Sequence, residues 1–130
     1  MGAGKRLGLV AHDGKKGDMV GWASQHKERL AKVHLYATGT TGGLLRDQLG
    51  LKIESLKSGP LGGDAQLGAM IASKQLDALV FFIDPLAALP HDVDVKSLLR
   101  LAVLYDIPLA INQASAAAVL DAMCEAPAAA

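Results

Sequence analysis

Residues 78–85 read Ala-Leu-Val-Phe-Phe-Ile-Asp-Pro, an apolar run from Ala78 to Ile83 that ends on an acid and a proline. A short unbroken apolar run of this kind fits a strand buried on both faces, as in a parallel sheet. The stop at Asp84 leaves it far short of the ~20 residues that cross a bilayer. On its N-terminal side the chain alternates between two periods. Leu7–Ala11, Val33–Ala37 and Ile53–Leu56 have strand length, and helical spacing fills the gaps. From Lys15 to Lys32 the residues Met19, Val20, Ala23, His26, Leu30 and Ala31 recur at three and four, predicting one long helix. Thr41–Leu49 predicts a short helix with Gly50 as its C-cap, and Asp64–Ser73 another. Beyond residue 85, Val93–Tyr105 predicts a helix with Val95, Leu98, Leu99 and Ala102 inward, followed by a strand at Leu109–Ile111 and a helix at Ala114–Met123.

Strand and helix thus alternate along the whole chain. Parallel strands need crossover connections, so the expected fold is α/β: a single-domain three-layer sandwich around a mostly parallel five-stranded sheet. The 130 residues are expected to form one domain, with residues 1–6 and 125–130 as loose ends. Thirteen basic and thirteen acidic residues cancel, and aromatics make up 4% of the chain, which argues against a nucleic-acid binder. The single cysteine, Cys124, forms no internal disulfide, and no Cys/His spacing suggests a metal site. With no membrane span and no secretory signal before Leu7, the expected compartment is the cytoplasm.

Ligands of open parallel sheets sit beyond the carboxyl ends of the strands. The segments after the first four strands are His12-Asp13-Gly14-Lys15-Lys16, Thr38-Gly39-Thr40-Thr41-Gly42, Ser58-Gly59-Pro60-Leu61-Gly62-Gly63-Asp64, and Asp84-Pro85 through His91-Asp92-Val93-Asp94. Topology therefore gathers most of the catalytically capable residues at one edge. The Thr-Gly-Thr-Thr-Gly loop joins glycines and hydroxyls to a helix N-terminus, a combination suited to phosphate as well as to plain capping. His12 and Lys16, four apart, are placed to address one anion, whereas Lys15 reads as solvated. Asp64 reads either as an N-cap or as a carboxylate base brought to a ligand by glycines. His91 lies in a proline-stiffened loop where it can polarise a carbonyl, with Asp84 or Asp94 fixing its tautomer. No Walker sequence or dinucleotide fingerprint is present.

These motifs together resemble the methylglyoxal synthase family. The likeness is carried by Val10-Ala11-His12-Asp13 with Lys16, Tyr36 through Gly42, Ser58 through Asp64, Phe81 through Pro85, and Pro90 through Asp94 with Leu98-Leu99-Arg100. It implies a phosphate-eliminating lyase that converts dihydroxyacetone phosphate to methylglyoxal and inorganic phosphate without metal or organic cofactor. It implies Asp64 as the catalytic base, His91 at the substrate oxygens and Asp94 in proton handling. His12, Lys16, Thr38, Gly39, Thr40, Thr41, Ser58 and Gly59 then bind substrate and phosphate, and Asp13 and Asp84 are supporting acids. A homohexamer inhibited by phosphate is implied as well. The chain departs from longer relatives in having no Lys or Arg after Arg100, and in placing Ala110-Ile111 before Asn112 where a threonine often stands. The residues alone leave two other readings open: a regulatory module that binds phosphate without chemistry, like the allosteric domain of carbamoyl phosphate synthetase, and a sugar-phosphate isomerase.

Overall fold

A computed structural model describes residues 5–58, 61–86 and 93–125, the side chains of 93–95 and 125 excepted. Five strands, β1 (Arg6–Ala11), β2 (His34–Ala37), β3 (Ile53–Ser55), β4 (Ala78–Phe82) and β5 (Leu109–Ala110), form one sheet in the order β3-β2-β1-β4-β5. Every pairing is parallel, with Leu9 opposite both Ala37 and Val80. The connections run through α1 (Lys16–Gln25), α2 (Lys27–Leu30), α3 (Gly39–Leu49), α4 (Gly63–Ala72) and α5 (Val93–Leu104), and α6 (Gln113–Glu125) closes the chain.

Strand alternation divides the core in two. Leu7, Leu9, Val80 and Phe82 face a layer holding Met19, Trp22, Leu30, Leu45 and Leu120, from α1, α2, α3 and α6. Val10, Leu79 and Phe81 face Leu67, Ile71 and Leu98, from α4 and α5. All of β4 is buried, which accounts for its unbroken apolar run. A Cβ on Gly8 would stand 3.1 Å from Leu67 and Leu76, so that residue serves close packing of α4 on the sheet. Among the described residues no helix is long and apolar enough to cross a membrane.

The expected elements are present, with three local differences. The segment read as one helix from Lys15 to Lys32 is a 3₁₀ turn at Asp13–Lys15, then α1 and α2. The break is His26, at φ −115° and ψ 22°, whose N–H is shared between the Trp22 and Ala23 carbonyls. Apolar spacing continues across a one-residue break, so periodicity does not register it. On this segment Met19, Ala23 and Leu30 are buried as the spacing predicts, and Trp22 packs beside them, whereas Ala31 is exposed. Third, α4 begins at Gly63 with Gly62 as its N-cap, so Asp64 lies inside the first turn rather than capping it. Gly50 caps α3 at φ 69°, as expected.

Candidate active site at the strand tips

The chain leaves β1 for β2 on one side and returns to β4 on the other, so the crevice between β1 and β4 is the sheet's switch point. His12 follows β1 there and its N–H donates to the Phe82 carbonyl at 3.1 Å, extending the ladder by one residue. Its Nδ1 accepts the main-chain N–H of Asp84 at 2.8 Å. A ring nitrogen that accepts carries no proton, so the imidazole is the Nε2–H tautomer, with its one N–H donor on the other side of the ring. The ring edge packs against Phe81 at 5.3 Å between centroids. Asp84 is steadied in turn by the Leu86 N–H, 3.0 Å from its carboxylate.

Lys16 opens α1 with its side chain 18% exposed, and Nζ donates to the Ala11 carbonyl at 2.9 Å. The ammonium is thereby folded over the end of β1. Asp13 is 3.4 Å from it, but at 94% side-chain exposure that pair contributes little and leaves Lys16 its positive field. Lys15 pairs with Asp18 at 3.5 Å on the outer side, the solvated role expected of it.

Thr38 leaves β2 in an extended conformation and is the N-cap of α3, yet its hydroxyl makes no capping bond. The Gly39 N–H goes to the Lys57 carbonyl at 3.2 Å. By helix geometry the N–H groups of Thr40 and Thr41 have no partner within α3, leaving a positive helix end available to an anion. Thr41 is 1% exposed and its hydroxyl has no hydrogen-bond partner among the described residues. A buried hydroxyl of this kind costs about 1–3 kcal/mol unless something else satisfies it.

The path from β3 to α4 is longer and knotted on itself. Leu56 donates to the Ala37 carbonyl at 2.7 Å, and the Ser58 carbonyl accepts both Leu61 and Gly63 N–H groups at 3.0 and 2.9 Å. Gly62 takes φ 109°, a conformation that L side chains rarely adopt. A Cβ on Gly63 would fall 1.9 Å from the Lys57 carbonyl oxygen, and one on Gly39 would fall 3.2 Å from the Ser58 nitrogen. The first residues of α3 and α4 thus press on the same short stretch, Lys57–Ser58. Asp64 comes one residue after Gly63 and is half-buried.

The structure therefore joins His12 to Asp84, Lys16 to the tip of β1, and Thr38–Gly39 to Lys57–Ser58 and Gly63. Thr40 is exposed, and Asp13 is a surface residue. Gly59 and His91 lie outside the described residues; Asp94 falls in the first turn of α5, with its side chain outside them. Sequence reasoning missed Gln66, whose Oε1 accepts the Lys57 N–H at 2.8 Å. Its one signal was an amide side chain in the first turn of a helix whose N-cap is glycine. Among the described residues no group of three His, Cys, Asp or Glu side chains is set to hold a metal ion. A separate cavity of about 540 Å³ opens at the far end of the strands, between Lys27, Lys32, Lys52 and the Leu30, Leu35 and Leu51 side chains. It is remote from the strand tips and takes no part in this site.

Fold and strand tips define a class: an open parallel α/β protein with two helix N-termini converging at its carboxyl edge. Residues 18–111 match a family model described as an MGS-like domain, and the chain belongs to that family. The methylglyoxal synthase of Rhizobium rhizogenes is 58% identical over 117 residues, 89% of this chain and 93% of that one. The methylglyoxal synthase of Brucella ovis is 55% identical over 119 residues, 91% of this chain and 95% of the other. The crystal structure of methylglyoxal synthase from Elizabethkingia anophelis matches with a TM-score of 0.88 at 48% identity, covering 94% of this chain and 80% of that one.

Proposed function

We propose that the crevice between β1 and β4, with the adjoining ends of α3 and α4, is where this chain carries out the chemistry of its family. The chain is an enzyme, a lyase that converts dihydroxyacetone phosphate into methylglyoxal and inorganic phosphate. One observation supports its assignment to these residues: the open N-terminus of α3 and the Asp64 turn of α4 meet on the same peptide, Lys57. An anion held by the first turn of α3 then lies beside a carboxylate.

In the proposed mechanism Asp64 removes a proton from the hydroxymethyl carbon of the substrate. His91 and the Nε2–H of His12 donate to the oxygens on which the enediolate charge develops. The phosphate is held by Lys16, the amides and hydroxyls of Thr38, Gly39, Thr40 and Thr41, and the Ser58–Gly59 loop. Elimination needs the bond to the phosphate oxygen to stand out of the enediolate plane, and gripping the phosphate between the α3 end, Lys16 and the Ser58–Gly59 loop fixes that angle. Electrons then flow from the enediolate into that bond, and phosphate leaves as the enol of methylglyoxal forms. Asp94 handles the proton that the product regains, Asp84 holds His12 through its main-chain N–H, and Asp13 is the second supporting acid, at the surface beside Lys16. No metal or organic cofactor enters this scheme.

The same reading takes the chain as one domain over residues 1–130, acting in the cytoplasm as a homohexamer that phosphate inhibits. Exposed Val103 and Leu104, 74% and 67% accessible near the end of α5, with Ile111 at 44% just past β5, support assembly through that side.

The test is to incubate the protein with dihydroxyacetone phosphate and follow dicarbonyl and free phosphate together. They should appear in equal amounts. Asp64→Asn should cut turnover by about 10²–10⁴-fold while inorganic phosphate still binds. Triose phosphate interconversion without free phosphate would instead indicate an isomerase, and native turnover in the variant would remove Asp64 as the base.

A further inference from the structure

We infer that Gln66 is a positioning residue for this reaction, holding the backbone of Lys57 as the fixed point between the phosphate-side helix and the helix that carries Asp64. The inference rests on the proposed role of Asp64 as base and of the α3 turn as phosphate holder.

Lys57 lies just past the last strand residue, Ser55, so its peptide has left the ladder that would otherwise satisfy it. Its N–H donates to Gln66 Oε1 at 2.8 Å, and its carbonyl accepts the N–H of Gly39 at 3.2 Å. That carbonyl also occupies the place a side chain on Gly63 would fill, 1.9 Å from the ideal Cβ position. Three elements thus converge on this stretch: β3 delivers it, α3 binds its carbonyl, and α4 both touches it through Gly63 and clasps its N–H through Gln66. Gln66 lies two residues after Asp64 on the same helical turn, so whatever shifts one element against the other shifts the carboxylate against the phosphate.

Each helix end also has bonds of its own. The Gly42 N–H reaches the Thr38 carbonyl at 2.8 Å, and Leu61 and Gly63 both reach the Ser58 carbonyl. Losing the Gln66 bond therefore leaves the two turns individually formed. What it frees is the backbone of residue 57, whose N–H and carbonyl lie in adjacent peptide planes hinged at one Cα, and with it the distance from base to substrate carbon. Gln66 is exposed, so water can take over the lost hydrogen bond and the fold is not at risk. A small displacement that stability barely registers can still slow proton abstraction, because misplacement by about 1 Å can cost on the order of 10²-fold in rate.

The experiment compares Gln66→Met, which keeps the length and loses the acceptor, with Gln66→Glu, which keeps an oxygen in the same place. Gln66→Met should lose about ten- to a hundredfold in kcat, with a melting temperature near that of the unaltered protein. Its affinity for inorganic phosphate, measured by calorimetric titration, should fall by much less than kcat. Gln66→Glu should recover most of the lost turnover. Unchanged kcat in Gln66→Met would overturn the inference, and so would a Glu variant as slow as the Met one. Asp64→Asn, assayed alongside, separates the two readings. If it is active, the proposed base is wrong and this inference falls with it; if it is inactive while Gln66→Met is unimpaired, the positioning role alone fails.

Discussion

The two helix ends at the carboxyl edge are built in different ways. At the first, β2 passes through a single residue, Thr38, directly into α3, and the sheet itself aims the helix. At the second, residues 56–62 separate β3 from α4, and the helix is entered through Gly62 with φ 109°. The direct junction needs no side-chain cap, and Thr38 provides none, which leaves its amides open to an anion. The indirect junction carries the acid, and nothing in the strand fixes where that acid goes. Its placement depends on contacts made across to the first junction, through Lys57 and Ser58. A ligand holder can be aimed by the strand that precedes it; a base following a seven-residue path has to be located by tertiary contacts.

Two glycine substitutions test that asymmetry, and the larger effect belongs to the second junction. In Gly63→Ala the new methyl would sit 1.9 Å from a backbone oxygen that is itself hydrogen-bonded, so backbone must move. A loss of about 1–3 kcal/mol in denaturant unfolding is expected, with turnover falling further than for any variant of Gln66. In Gly39→Ala the nearest atom, the Ser58 nitrogen, is 3.2 Å away, so backbone has to give by only a few tenths of an ångström and the loss should be smaller. Equal effects at the two positions would mean that the α4 end is no more dependent on close contact than the α3 end.

Thr41→Val tests the first junction in the opposite sense. The hydroxyl it removes is buried and without a partner among the described residues, so the variant should be as stable as the native chain or more stable, by up to about 1 kcal/mol. Phosphate affinity should nevertheless fall and KM for the triose phosphate rise. Stability kept at the expense of binding is the mark of a group retained for a ligand. A less stable protein with unaltered phosphate binding would show that the hydroxyl serves the fold.

Much of this was legible in the sequence because hydrophobic period is a strong signal and strand tips follow from topology. The buried run at 78–82, the C-cap at Gly50 and the gathering of His12, Lys16, Thr38 and Asp64 at one edge all came from local pattern. What stayed hidden depended on contacts between distant residues. Asp64 reads as an N-cap because acids commonly are, and only a close packing at Gly63 moves the helix start one residue earlier. The glycines before it read as flexible, yet Gly63 is there because the Lys57 carbonyl, folded back from the start of the same connection, fills the space. Gln66 carried no signal strong enough to single it out, since its partner is a main-chain N–H nine residues back. His26 looked like an ordinary member of a helical stripe, and its backbone departure left the apolar spacing intact.

His26 also bounds the comparison, because it repeats the hydrogen-bonding of His12 away from the strand tips. Its Nδ1 accepts from the Arg29 guanidinium at 2.6 Å, as that of His12 accepts from a main-chain N–H. Arg29 is paired in turn with Asp121 of α6, and the His26 ring leans on Trp22. Partial burial, and next the Arg29 charge, hold the His26 imidazole below its ordinary value of 6.5. The unfolded chain therefore takes up a proton first as pH falls, and stability declines from about pH 6.5 downward until the folded form is protonated too. Above that window both states are neutral and the residue has no effect on pH dependence. Denaturant unfolding between pH 7.5 and 5 should show this as a shallow fall in stability toward acid, the smallest of the expected effects. His26→Gln keeps an oxygen acceptor for Arg29 but cannot titrate, so it should flatten that slope and leave turnover untouched. An unchanged slope would mean that the imidazole is as easily charged in the folded protein as in water.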